Sequence, residues 1–145
     1  AYTTRVGEGP MHTELHDDIG WHLAEVGKEK GTVTGRDRRC GWFDAVQVRK
    51  TCMLNGVTGI AFMKMDVLDQ LSSIKICVDY SDNTPVYEEM SGWRTSTVGI
   101  TKYSDLPIQA QQYVDRIEEL VKTPIVLIST GPERDQTIVL NNSLF

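Results

Sequence analysis

Two short segments of this 145-residue chain are apolar almost without interruption: Val57-Thr58-Gly59-Ile60-Ala61-Phe62-Met63 and Ile125-Val126-Leu127-Ile128. Both are far too short to span a bilayer, and neither alternates as a half-solvated strand does. Such runs fit strands covered on both faces, as in the parallel sheets of α/β proteins. The first runs into Lys64-Met65-Asp66 and the second into Ser129-Thr130-Gly131-Pro132.

The segments around them alternate in type. From Thr13, Leu15, Ile19, His22, Leu23 and Val26 recur at helical spacing, with Thr13 as the N-cap and Gly27 and Gly31 bracketing the end. Asp44 reads as the cap of a second helix that stops at Asn55-Gly56. Asp105-Leu106-Pro107 opens a third, with Ala110, Tyr113, Val114, Ile117, Leu120 and Val121 on one face and Pro124 as its stop. A short strand opens the chain. Residues 74–79 predict a half-buried strand, Ile74, Ile76 and Val78 inward and Lys75, Cys77 and Asp79 outward. Ser81-Asp82-Asn83 is a turn before an edge strand over 85–89, residues 91–105 are polar and irregular, and 136–140 forms a last strand. Helices alternating with strands predict one α/β domain, and such sheets bind ligands outside the carboxyl ends of their strands. Lys64-Met65-Asp66 and Ser129-Thr130-Gly131 both fall at such ends.

The formal net charge is −5, yet Arg36, Arg38 and Arg39 crowd beside a Thr- and Gly-rich turn. A concentrated positive spot on an acidic chain suits a small anion, phosphate or carboxylate, whose oxygens match the guanidinium fork. Thr34 and Gly35 can add a hydroxyl and backbone amides, as in an anion nest. In an extended segment Arg36 and Arg38 point to opposite sides, so one loop can serve two anions; Arg39 then falls near Arg36's side or pairs with an acid. The plainer reading is a solvated loop neutralised by Asp37, Glu25 and Glu29. Cys40, Cys52 and Cys77 are odd in number and widely spaced, which argues against a disulfide framework or zinc site and for a reducing, cytosolic setting. His12, His16 and His22 form no metal cage, and Trp21, Trp42 and Trp93 read as core or edge packing. The start at Ala1 reads as a piece of something longer.

An Asp carboxylate has two coplanar acceptors. Guanine offers two coplanar donors, N1–H and the 2-amino group, and adenine cannot reproduce them. Asp66 can make that pair, with the stem of Lys64 over the ring face; a solvated strand end is the alternative. A glycine turn such as Ser129-Thr130-Gly131 can present a backbone N–H to guanine O6, or can simply need glycine for its backbone angle. No Gly-Lys-Ser/Thr phosphate loop occurs in the sequence, nor a nucleophile–base pairing.

The order of these pieces resembles the carboxyl-terminal portion of adenylosuccinate synthetase. The resemblance is carried by Ala1 to Gly7, Thr34-Gly35-Arg36 through Arg39-Cys40-Gly41-Trp42-Phe43-Asp44, Asn55-Gly56, Lys64 to Asp69, Ile74 to Val78, Pro85 to Met90 with Gly92-Trp93, Arg116 to Leu120, and Ser129 to Arg134. It implies part of a P-loop-NTPase-like enzyme with a mostly parallel central sheet flanked by helices. It also implies a homodimeric cytoplasmic ligase that joins IMP to L-aspartate and splits GTP, with Mg²⁺ as cofactor and no nucleic-acid or membrane partner. Val6 would touch IMP. The loop of Thr32, Val33, Thr34, Gly35, Arg36, Asp37 and Arg38 would close over aspartate. Thr34 and Arg36 would hold its carboxylates, Arg36 would also reach IMP, and Arg38 would reach GTP. Lys64, Met65 and Asp66 would read the guanine, and Ser129, Thr130 and Gly131 would close its other edge. Val33 stands where the family has a second threonine, and a longer family segment between Tyr80 and Thr84 is absent. The family's catalytic Asp and His, phosphate loop and Mg²⁺ ligands lie in its amino-terminal portion. The 145 residues would then hold no catalytic or metal-binding residue and be inactive alone. The competing readings are a stand-alone, non-catalytic guanine-nucleotide binding module and a structural domain with a solvated Arg loop.

Overall fold

The computed structural model describes residues 1–29 and 38–140. Its elements run β1 (Thr3–Arg5), α1 (Asp18–Val26), β2 (Arg39–Gly41), β3 (Phe43–Asp44), α2 (Ala45–Asn55), β4 (Ile60–Phe62), β5 (Ser73–Ser81), β6 (Thr84–Ser91), α3 (Ile108–Val121), β7 (Ile125–Ser129) and β8 (Thr137–Val139). Short 3₁₀ turns occupy Met65–Leu68 and Tyr103–Asp105. This is a mixed α/β fold, as the alternating pattern predicts. Its strands form three small sheets, β1-β2, β3-β5-β6 and β4-β7-β8. The β3–β5 and β4–β7 pairs are parallel; β1–β2, β5–β6 and β7–β8 are antiparallel. Among the described residues the sheets are therefore mixed, and not the mostly parallel one expected. The hairpins at β5–β6 and β7–β8 add two of the antiparallel pairs, and β1–β2, with α1 between its strands, adds the third.

Local chemistry sets the helix ends. The Asp44 carboxylate accepts from the Gln47 N–H at 3.0 Å, and Gly56 closes α2 in the left-handed conformation at φ 60. The first helix starts later than expected. Asp17, not Thr13, caps it by accepting from the Gly20 N–H at 3.0 Å. Thr13 is buried and the chain beside it is drawn into the small β1–β2 sheet: Glu14 bridges Gly41, and the Leu15 N–H donates to Cys40 at 2.9 Å. Gly41 permits that approach, since a Cβ there would sit 2.1 Å from the Thr13 carbonyl oxygen. Leu23 faces the core, and Trp21, two positions earlier and roughly 200° around the helix, is 67% exposed instead of packed.

The third helix matches its reading closely. Ala110, Tyr113, Val114, Ile117 and Val121 are buried along one face. Tyr113 links the sheets: its ring stands 6.0 Å from Phe62 and 5.9 Å from Trp93, and Phe62 stands 5.9 Å from Phe43. Each such fully buried side chain contributes roughly 1.5–3 kcal/mol. β7 is buried as its apolar run predicts. β4 is shorter than expected, with Ala61 and Met63 exposed, because no described element covers that face. On β5, Cys77 is buried instead of outward: a register shift between Cys77 and Asp79 breaks the alternation. All three cysteines are free thiols.

Candidate functional site

The parallel register of β4 and β7 pairs Phe62 with Ile128. Two residues beyond Phe62, and one beyond Ile128, the two polar segments therefore leave the sheet side by side. The Lys64 N–H donates to Ser129 Oγ at 2.8 Å. Lys64 takes the left-handed conformation, φ 63 and ψ 40, which costs a non-glycine residue of order 1–3 kcal/mol, and swings the chain into the 3₁₀ turn. Between the segments lies a cleft of about 280 Å³ bordered by Val26, Gly27, Lys64, Asp66, Ser129 and Gly131.

The Lys64 ammonium is not free. It donates to the Gly27 carbonyl at 2.8 Å and to Glu29 Oε1 at 2.6 Å. Its alkyl stem is thereby held as a fixed strip along the cleft. Glu29 is 2% exposed and also accepts from the Tyr2 hydroxyl at 2.6 Å and from Arg38 Nη1 at 3.2 Å. Burial pushes the Glu29 carboxyl up, but Lys64, Tyr2 and Arg38 together outweigh it and hold the group below its ordinary value. Burial and then Glu29 raise the Tyr2 phenol well above its ordinary range. The Arg38 N–H donates to the Glu29 carbonyl at 2.8 Å, so backbone and side chain both join these residues. The Arg38 Nε–H is buried without a partner among the described residues. Arg39 pairs with Glu14 at 2.8 Å and donates to the carbonyls of Gly7 and Gly9; of the two expectations for it, pairing with an acid is the one met.

Asp66 differs from these groups. Burial raises its carboxyl, backbone hydrogen bonding only partly offsets this, and nearby Asp69 adds to the rise. Three residues on, Asp69 accepts from Trp93 Nε1, the Thr97 N–H and Thr97 Oγ1, each at 2.7 Å, which pins the irregular 91–105 segment.

Other expected site residues are placed less simply. Met65 is fully buried in the core, so only its backbone can face a ligand. Thr130 is fully buried too; its N–H donates to Gln136, its carbonyl accepts from Gly99, and its hydroxyl donates to Ile100. The backbone N–H left at that turn is Gly131's, with no partner among the described residues. A Cβ on Gly131 would sit 2.2 Å from Gln136 Oε1, which itself accepts from the Glu133 N–H at 2.9 Å. Val6 is exposed and does not border the cleft. Thr32, Val33, Thr34, Gly35, Arg36 and Asp37 lie outside the described residues. Sequence reasoning missed Tyr2, Gly27 and Asp69 as site residues, and Glu29 entered only the plainer reading, as a counter-charge of a solvated loop; no motif marks a buried carboxylate.

Comparison with known proteins agrees along nearly the whole chain. The family model for adenylosuccinate synthetase matches residues 1–138. The adenylosuccinate synthetase of Psychrobacter sp. (strain PRwf-1) is 52% identical over 158 residues, covering 98% of this chain and 37% of that protein. That of Ehrlichia chaffeensis is 52% identical over 159 residues, with the same coverage. A solved structure, the fully ligated adenylosuccinate synthetase of Plasmodium falciparum, superimposes with a TM-score of 0.91 at 38% identity, covering 97% of this chain and 38% of that one. The chain thus spans little more than a third of the length of the relatives it matches.

Proposed function

Since this chain belongs to the adenylosuccinate synthetase family, we propose that it is the carboxyl-terminal portion of a ligase that joins IMP to L-aspartate and splits GTP. Its own share is guanine recognition and substrate positioning, the proximity part of catalysis. The observation that carries this reading is the cleft itself. Asp66 on one side and the Gly131 N–H on the other border a slot along which the Lys64 stem is fixed. A carboxylate disfavoured by desolvation gains most from a ligand that returns two donors in one plane, which guanine does. Gly131 would donate to guanine O6, where adenine presents an amino group. Arg38 would reach GTP, Val6 would touch IMP, and residues 32–38 would engage aspartate.

On this reading the β3–β5 and β4–β7 pairs belong to a larger, mostly parallel, P-loop-NTPase-like sheet. Its remaining strands, its catalytic Asp and His and its phosphate loop would come from the rest of the enzyme, a cytoplasmic homodimer. By the family resemblance, Mg²⁺, which neutralises phosphate charge when bound, would be held by residues of the rest of the enzyme. No helix among the described residues is long and apolar enough to cross a membrane. A stand-alone guanine-binding module is the weaker reading, because the likeness to named synthetases extends over 98% of the chain.

Titrating the full-length enzyme with GDP, IDP and ADP tests the assignment. GDP should bind tightest, IDP, which lacks the 2-amino donor, more weakly, and ADP weakest; Asp66→Asn should bring GDP and IDP together. Equal affinity of the unaltered enzyme for GDP and ADP would overturn it.

A further inference from the structure

One buried carboxylate holds both cations assigned to the nucleotide. Glu29 Oε1 takes Lys64 at 2.6 Å and Tyr2 at 2.6 Å, while Oε2 takes Arg38 at 3.2 Å. Glu29 is 2% exposed, whereas the Lys64 and Arg38 side chains are each 40% exposed. The carboxylate therefore lies deeper than either cation; Lys64 borders the cleft, and the Arg38 guanidinium meets the same carboxylate from outside it. It is also fixed by its backbone: its N–H donates to the Ala24 carbonyl at 2.9 Å, and its carbonyl accepts from the Arg38 N–H at 2.8 Å. The chain turns out of α1 at Gly27 with Lys28 in the left-handed region at φ 51, which aims Glu29 back beneath Lys64.

We propose that Glu29 is a positioning residue for the guanine nucleotide: it fixes Lys64 and Arg38 together, so that both meet the nucleotide in one preset geometry. This rests on the guanine-site reading and extends it to a residue that touches no ligand. A buried anion shared by two cations restrains each more than a solvated ion pair does, because losing either leaves charge uncompensated in a low-dielectric setting. With Glu29 neutral, the Lys64 ammonium keeps only its Gly27 contact and the Arg38 guanidinium loses its charged partner, although its backbone N–H stays on the residue 29 carbonyl. The ligand must then order both side chains itself, at about 0.5–1.5 kcal/mol for each.

The test uses the full-length enzyme with Glu29→Gln, which keeps shape and an acceptor but removes the charge. GDP affinity and the KM for GTP should weaken by roughly 5- to 100-fold, the two-side-chain ordering cost converted at about 1.4 kcal/mol per decade. The affinity ratio of GDP to IDP should stay within twofold of the unaltered enzyme, because Asp66 is untouched, and the KM for IMP should likewise stay within twofold. Tyr2→Phe, which removes one donor but neither ion pair, should weaken GDP about twofold and gives a second readout where Glu29→Gln folds poorly. GDP binding unchanged in both variants overturns the proposal. So does a loss of IMP and GDP affinity in parallel, which marks a purely structural role. If the unaltered enzyme does not prefer GDP to ADP, it is the underlying guanine reading that fails.

Discussion

Asp66 and Asp69 stand three residues apart, Asp66 inside a single 3₁₀ turn and Asp69 as its C-cap, and the fold treats them in opposite ways. Asp69 is buried and receives three hydrogen bonds from Trp93 and Thr97. Both border a cleft toward Arg94, Thr95 and Ser96, but only Asp66 also borders the cleft toward Ser129 and Gly131, and it is raised by burial that its surroundings do not fully answer. A carboxylate whose partners are internal serves the structure. One that is desolvated yet open on a cleft is set up for partners that arrive from outside. The same residue type, almost adjacent in sequence, shows both.

The sharpest way to break that contrast is truncation. Asp69→Ala should cost about 3–5 kcal/mol of stability in chemical denaturation, since it orphans an indole and a threonine beneath the 91–105 segment. A comparable loss in Asp66→Ala would erase the distinction. Next in size, Asp66→Asn should cut the preference for GDP over ADP by roughly 10- to 100-fold, the 1–3 kcal/mol range of a bidentate base contact, as read by competition titration. The same variant should be neutral or slightly stabilising without ligand.

Acidity sharpens the contrast further. Asp66 has a raised value in the fold, so its protonated form is favoured there. Its contribution to stability is present below the ordinary value of 3.8 and lost as pH rises through the raised value. Guanine needs the ionised form, so GDP affinity should fall up to about tenfold per unit of pH below that raised value. Glu29 has the opposite sign. Its value is lowered, so the stability it contributes is present above 4.5 and lost as pH falls through the lowered value. Stability and GDP affinity measured over the acid range should separate the two, affinity failing before Glu29 protonates. Smallest of all, Trp21→Ser should change stability by no more than about 0.5 kcal/mol despite the size of the side chain, because that ring is exposed.

Much of this frame is legible in the sequence. The caps of α2, the buried face of α3 and the turn at Asp82-Asn83 are local, and local chemistry decides them. The pairing of Lys64 with Ser129 was foreshadowed by two apolar runs ending in polar triplets. What is not legible depends on distance along the chain. Thr13 has the composition of a cap, but its neighbours pair with Cys40 and Gly41, far along the chain. Cys77 is placed outward by an alternation that a bulge interrupts. Glu29 looks like any surface acid until Tyr2, Arg38 and Lys64 converge on it. The α/β class followed from the order of elements, whereas the direction of each pairing did not. A two-residue turn at β5–β6, a longer connection at β7–β8 and the distant pair β1–β2 all closed antiparallel and mixed the sheets.

The tip of the β5–β6 hairpin carries a consequence for the family's length. Ser81 pairs with Thr84 across only Asp82 and Asn83, at φ 48 and 64, which is the backbone of the tightest two-residue reversal. The alignments with the relatives run over 158 and 159 residues while covering 98% of this 145-residue chain, so the relatives carry additional residues within the aligned region. A solvent-facing tip, beyond the last rung of an otherwise continuous ladder, is where such a length difference is cheapest. Lengthening a two-residue turn to about sixteen is three doublings of loop length, roughly 2 kcal/mol in closure entropy. The hairpin is thus a tolerant site for variation in chain length, natural or engineered, at the far end of a strand whose other half is locked into the core.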